Sequence, residues 1–242
     1  MRQVIDVKYK DLGNYELPVK TQSYEPVGHQ DLIDKVISIA KPNYGVPTGA
    51  GFRIAGGGNQ MFAHLDFKTS LSEDANISIG IRNSYNKSLA VGICSGASII
   101  VCDNLMFVGD VVKLRKHTSK VWEDLDMIIE EGIQAVGENF ETLMDASQAL
   151  SDITINDTNA AHVLGELFVN ENILASNQLN VAAREWKEGG RTDVIRDHPW
   201  ADRTAWSLYN ACTEALKISH PSEVMDRQVK LHEFFHEHYE LT

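Results

Sequence analysis

The stretch Ile77–Thr118, ISIGIRNSYNKSLAVGICSGASIIVCDNLMFVGDVVKLRKHT, constrains the fold more than any other part of the chain. Ile77, Ile79 and Ile81 alternate with Ser78, Gly80 and Arg82, the two-residue period of a strand with one buried face. Asn83 to Lys87 is turn material, Ser88–Cys94 reads as the next strand, Ser95-Gly96 as the next turn and Ala97–Cys102 as a third strand. Strands joined by connections this short pair with their neighbours, so the segment predicts an antiparallel meander. The run ends in a dense group of cations.

Either side of the meander the pattern changes. His29–Lys41 carries Leu32, Ile33, Val36, Ile37 and Ala40 at helical spacing, and Pro42 is read as the stop. Phe52–Ala55 and Gln60–Lys68 form a hairpin around Gly56-Gly57-Gly58-Asn59. From Ser119, a candidate N-cap, one stripe (Val121, Leu125, Ile128, Ile129, Ile133, Val136, Phe140, Leu143) marks a long helix, with Gly132 and Gly137 as its weak points. Further helices are predicted over Asn156–Val169, Ala175–Trp186, Ala201–Ile218 and Ser222–Tyr239, with Lys187–Asp202 as a loop. Strands first and helices after give an α+β fold: a β-rich part over about residues 1–118, a helical part over about 119–242, and the helices packed on one face of the sheet as a single domain. No apolar run approaches the ~20 residues that span a bilayer, so no membrane partner is expected.

Charge is segregated. Residues 1–52 hold six Lys/Arg and six Asp/Glu, residues 53–120 hold eight and five, and residues 121–242 hold eight and twenty-three, so a +3 segment is followed by a −15 half in a chain of net charge −12. Overall acidity argues against general nucleic-acid binding, but binding answers to the local face. Lys113, Arg115, Lys116, His117 and Lys120 fall within eight residues and precede a predicted helix, where cations and free backbone N–H groups both suit phosphates. Arg82, Tyr85 and Lys87, on and beside the turn, extend that candidate surface with one stacking group.

Other motifs carry less. His232-Glu233-Phe234-Phe235-His236 matches H-E-x-x-H, in which His232 and His236 share one helix face and could hold zinc for a hydrolase; the motif lies six residues from Thr242, which leaves little chain for a third ligand, and a terminal amphipathic helix accounts for it as well. Gly49-Ala50-Gly51 and Gly56-Gly57-Gly58 lack the strand–loop–helix order of a phosphate-binding loop and read as turn glycines. Cys94, Cys102 and Cys212 have no metal-like spacing and read as buried free thiols in a reducing compartment. No cofactor is expected beyond a possible zinc, and no Ser-His-Asp arrangement follows from spacing.

Several motifs in order resemble a phage- and plasmid-borne family of unknown function. Asn83-Ser84-Tyr85-Asn86-Lys87-Ser88, Gly96, Val101-Cys102-Asp103-Asn104 and Lys116-His117-Thr118 are similar to its Asn-Ser-(His/Tyr)-Asp-Gly-Ser turn, Val-Cys-x-Asn strand end and basic His-Thr. Thr204-Ala205-Trp206-Ser207-Leu208-Tyr209-Asn210-Ala211-Cys212-Thr213-Glu214 is similar to its Trp-x-x-Tyr-Asn-Ala-x-Thr-Glu run, and Tyr24–Leu32 to its opening segment. Asn86-Lys87 departs from the family's Asp-Gly. The resemblance carries no catalytic residue. It implies a mobile-element protein of the host bacterium's cytoplasm, near recombination or anti-restriction functions. The expectation is a non-enzymatic accessory protein, a homo-oligomer that contacts nucleic acid in single-strand binding or annealing; the alternatives are an acidic anti-defence protein that blocks a host restriction or immune factor, and the zinc hydrolase.

Overall fold

The computed structural model describes residues 4–100, 104–108, 112–113, 121–188 and 202–241. Among these residues the centre is an antiparallel sheet of seven strands: β1 (Val4–Val7), β2 (Gly49–Ala55), β3 (Gln60–Phe67), β4 (Ala75–Ser84), β5 (Gly92–Ile99), β6 (Asn104–Phe107) and β7 (Val112–Lys113). They lie in the order β1-β2-β3-β4-β5-β6, with β7 also pairing with β5. Between β2 and β3 the chain reverses through Gly56, Gly57 and Gly58, all at positive φ (62°, 68° and 101°), a conformation open to glycine and costly for other residues. The expected hairpin forms, and so does an antiparallel meander, but its third strand is β6 and not the expected Ala97–Cys102, of which Ala97–Ile99 belongs to β5.

One expected turn does not form. β5 runs straight through Ser95-Gly96, and β6 pairs there, Phe107 opposite Gly96 and Met106 opposite Ala97. A methyl group at Gly96 would run into the Met106 carbonyl, so this glycine permits close approach of a neighbouring strand and does not reverse the chain. β7 then pairs with the start of β5, Lys113 opposite Gly92 and Val112 opposite Ile93.

Strand alternation sorts the core onto two faces. Met61, Ala63, Leu65 and Phe67 of β3, Ile77, Ile79 and Ile81 of β4, and Ile93 and Ala97 of β5 join the main core with helices α1 (His29–Tyr44), α2 (Val121–Gln134) and α3 (Val136–Asp152). Each of the larger of these side chains contributes about 2 kcal/mol by leaving water. The other face is covered too. Phe62, Cys94, Leu105 and Phe107 pack against Val224, Met225 and Val229 of the last helix, α7 (Val224–His238). The expectation of helices on one face is therefore corrected: Phe62 and alternate residues of β5 and β6 make an apolar patch on the reverse side that also needs a cover.

Pro42, read as the stop, lies inside α1, which runs on to Tyr44; its ring offers no N–H to the Ser38 carbonyl, and the helix closes soon after, where Gly45 at φ 79° donates to the Lys41 carbonyl. The long helix is interrupted at Ala135, between Gly132 and Gly137. α4 (Asp157–Val169) starts on the Asn156 cap, whose side chain accepts from the Asn159 N–H. α6 (Ala205–Leu216) starts on Thr204, which accepts from the Ser207 N–H, and α5 (Ser176–Glu188) lies between them in sequence. Ser119, Cys102 and most of the Lys187–Asp202 loop lie outside the described residues. Cys94 and Cys212 are buried and form no disulfide among the described residues. Among the described residues no helix is long and apolar enough to cross a membrane.

Candidate nucleic-acid interface

The turn after β4 is tied inward. Asn83 donates to the Val27 carbonyl at 2.8 Å and lies 3.0 Å from His29 Nδ1. His29 Nε2 lies 2.9 Å from the Gly58 carbonyl, which can only accept; the proton is therefore on Nε2, and Nδ1 accepts from Asn83. Tyr85 stacks on the His29 ring (3.9 Å between centroids, 7° between planes), and its hydroxyl accepts from the His29 N–H at 2.9 Å. Tyr24 donates to the Tyr85 carbonyl. Ser84 Oγ exchanges bonds with Leu89, and Asn86 accepts from the Ser88 N–H. The residues that carry the turn motif thus lash the start of α1 to two sheet turns.

This corrects the expected surface. Tyr85 is 6% exposed, and burial raises its hydroxyl pKa. Its faces are not open to a base. Arg82 is buried and donates to Asp226 of α7 at 2.7 Å, so its charge is matched inside the protein. Only Lys87 of the three remains exposed, its ammonium 4.3 Å above the Tyr24 ring and its backbone at φ 61°.

Register places Lys113 in one cross-strand row. Asp6 pairs with Arg53, Arg53 with Phe62, Phe62 with Arg82, Arg82 with Gly92, and Gly92 with Lys113. Three cationic positions (Arg53, Arg82 and Lys113) therefore share a line across the sheet. Arg53 reaches Asp6 at 3.5 Å and donates to the Lys217 carbonyl at the end of α6; burial lowers its pKa, against the pull of Asp6. Arg115, Lys116, His117 and Lys120 lie outside the described residues. In sequence they fall between β7 and α2.

The H-E-x-x-H segment forms part of α7. His232 is 5% exposed, edge-on to Tyr209, and its pKa is lowered to about 4 by burial and then by His236. Its ring is 6.2 Å from that of His236. Among the described residues no group of three or more His, Cys, Asp or Glu could hold a metal. Beside α7, a groove against α4 is lined by Glu166, Glu171, Glu233, Glu237, Lys230 and Phe234, a concentrated part of the acidic half.

Two further groupings escaped sequence reasoning. Asn104, from the strand-end motif, donates to the Asn210 carbonyl and side chain of α6 at 3.3 and 3.2 Å, so two distant motifs meet in the core. His64, Asp66 and Ser78 also come together, on the reverse face of β3 and β4. The signal for the first two was present: His and Asp two apart on a strand share a face. Ser78 could be added only once register was known.

A family profile described as Domain of unknown function (DUF932) matches residues 16–234. No curated protein and no solved structure matches the chain.

Proposed function

This chain belongs to the DUF932 family, matched over residues 16–234, and on that premise we propose that it is an accessory protein of phages or plasmids whose contact with nucleic acid is non-enzymatic, as a single-strand binding or annealing protein, in the host bacterium's cytoplasm. The observation that carries this reading is the position of Lys113 on β7, in the cross-strand row that also holds Arg53 and Arg82; in sequence Arg115, Lys116, His117 and Lys120 follow it before α2 begins. Phosphates favour such a place, where cations stand near a helix start.

The test is oligonucleotide binding at two salt concentrations. The parent protein should bind single strands and weaken steeply as salt rises. The Lys113→Ala/Arg115→Ala/Lys116→Ala variant should lose about tenfold or more in affinity and show a shallower salt slope. Equal binding by the triple variant sinks the assignment. The acidic groove between α4 and α7 favours a second reading, an anti-defence protein that engages a basic host factor; that reading expects no oligonucleotide binding by the parent protein.

A further inference from the structure

On the reverse face of the sheet, His64 Nδ1 lies 3.2 Å from each carboxylate oxygen of Asp66. Asp66 is only 8% exposed, and Ser78 Oγ donates to it at 2.8 Å. Ser78 serves the carboxylate and not the imidazole, so this is no nucleophilic-serine triad. Instead the buried, anchored carboxylate holds the proton on Nδ1 and leaves Nε2 as the ring's lone-pair nitrogen. Nε2 makes no hydrogen bond among the described residues. Both cross-strand neighbours of His64 are glycines, Gly51 on β2 and Gly80 on β4. Phe107 fills the space above Gly80, and the imidazole leans over Gly51 with Nε2 foremost. The side chain is 21% exposed, so the ring is not sealed from solvent.

We propose that His64 is a nucleophilic imidazole, positioned by Asp66 and Ser78, whose ligands are small acyl electrophiles. Nε2 attacks the carbonyl carbon, the Nε2–C bond forms, and the bond from that carbon to the leaving oxygen breaks with its electron pair. Asp66 keeps its bond to Nδ1–H and offsets the positive charge on the acylated ring. Water then adds to the acyl carbon, releasing the acid and a proton that neutralises the departed oxyanion, and the neutral imidazole returns. Asp66 and Ser78 are positioning residues.

Diethyl pyrocarbonate is the probe, with each histidine's modification rate followed by peptide mass spectrometry at neutral pH. His162, on α4 with its side chain 69% exposed, is the reference within the same molecule. Accessibility alone ranks His162 first; nucleophilicity ranks His64 first. The expected result is that His64 reacts about tenfold faster than His162, and that Asp66→Asn, which can donate to Nδ1 and move the proton to Nε2, brings His64 down to or below the reference rate while His162 is unchanged. If His64 reacts no faster than His162 in the parent protein, the pair is structural and the proposal fails, whatever Asp66→Asn does to folding. A folded Asp66→Asn variant in which the His64 rate stays intact overturns it equally.

Discussion

His232 shows how a surface-looking motif becomes core. Its pKa stands near 4 in the folded protein against the ordinary 6.5, because burial and the neighbouring His236 both oppose a charge there. A lowered folded pKa means that the unfolded chain takes up the proton first. Stability is then complete above pH 6.5 and is lost as pH falls towards 4, by about 3 kcal/mol from this group. Urea titrations at pH 7 and pH 4.5 should show the loss, and His232→Gln should reduce its dependence on pH. A parent protein equally stable at both values contradicts the buried, neutral imidazole. Tyr85 and Arg82 followed the same course. Their neighbours Asn86 and Lys87 are turn residues, and nothing local announced that the tyrosine would stack on His29 or the arginine reach a helix 144 positions later.

Among the elements, β5 is the most instructive. Ser-Gly between two apolar runs reads as a turn, yet the strand continues, and the β6 backbone beside it comes so close that Gly96 has no room for a side chain. Gly96→Ala should therefore cost about 3 kcal/mol or more, since the obstacle is a backbone carbonyl that cannot move without breaking the β5–β6 ladder. Denaturant midpoints measure this, and a change below about 0.5 kcal/mol would refute the close approach. The helices were more legible. Asn156 and Thr204 stand at the caps their residue types predict, and the amphipathic stripe from Val121 to Leu143 lies on α2 and α3. Caps and stripes are local, so they survive in sequence; the close approach of one strand to another is not.

At the scale of the whole molecule, α7 is fastened across the sheet's reverse face by a small apolar cluster and by Arg82–Asp226. The two partners differ in burial, the Asp226 side chain being half exposed and Arg82 enclosed. Asp226→Ala leaves a buried cation alone and should cost about 3 kcal/mol, whereas Arg82→Met leaves a carboxylate that water can reach and should cost clearly less. Melting of both variants tests the order, and a larger loss in Arg82→Met reverses the account. The same fastening covers the middle of the cationic row. That leaves Lys87 exposed beside the turn and puts the weight of the proposed interface on the segment after β7.

Period and punctuation alone determined that this chain makes a meander, then helices, and that opposite charges collect in separate stretches, because alternation, caps, turn glycines and charge runs are read from near neighbours. Tertiary structure alone decided that both sheet faces would be covered, that Tyr85 and Arg82 would turn inward, and that His64, Asp66 and Ser78 would meet. Those outcomes depend on strand register and on contacts between residues far apart in the chain, and no local pattern records which distant partner a side chain will find.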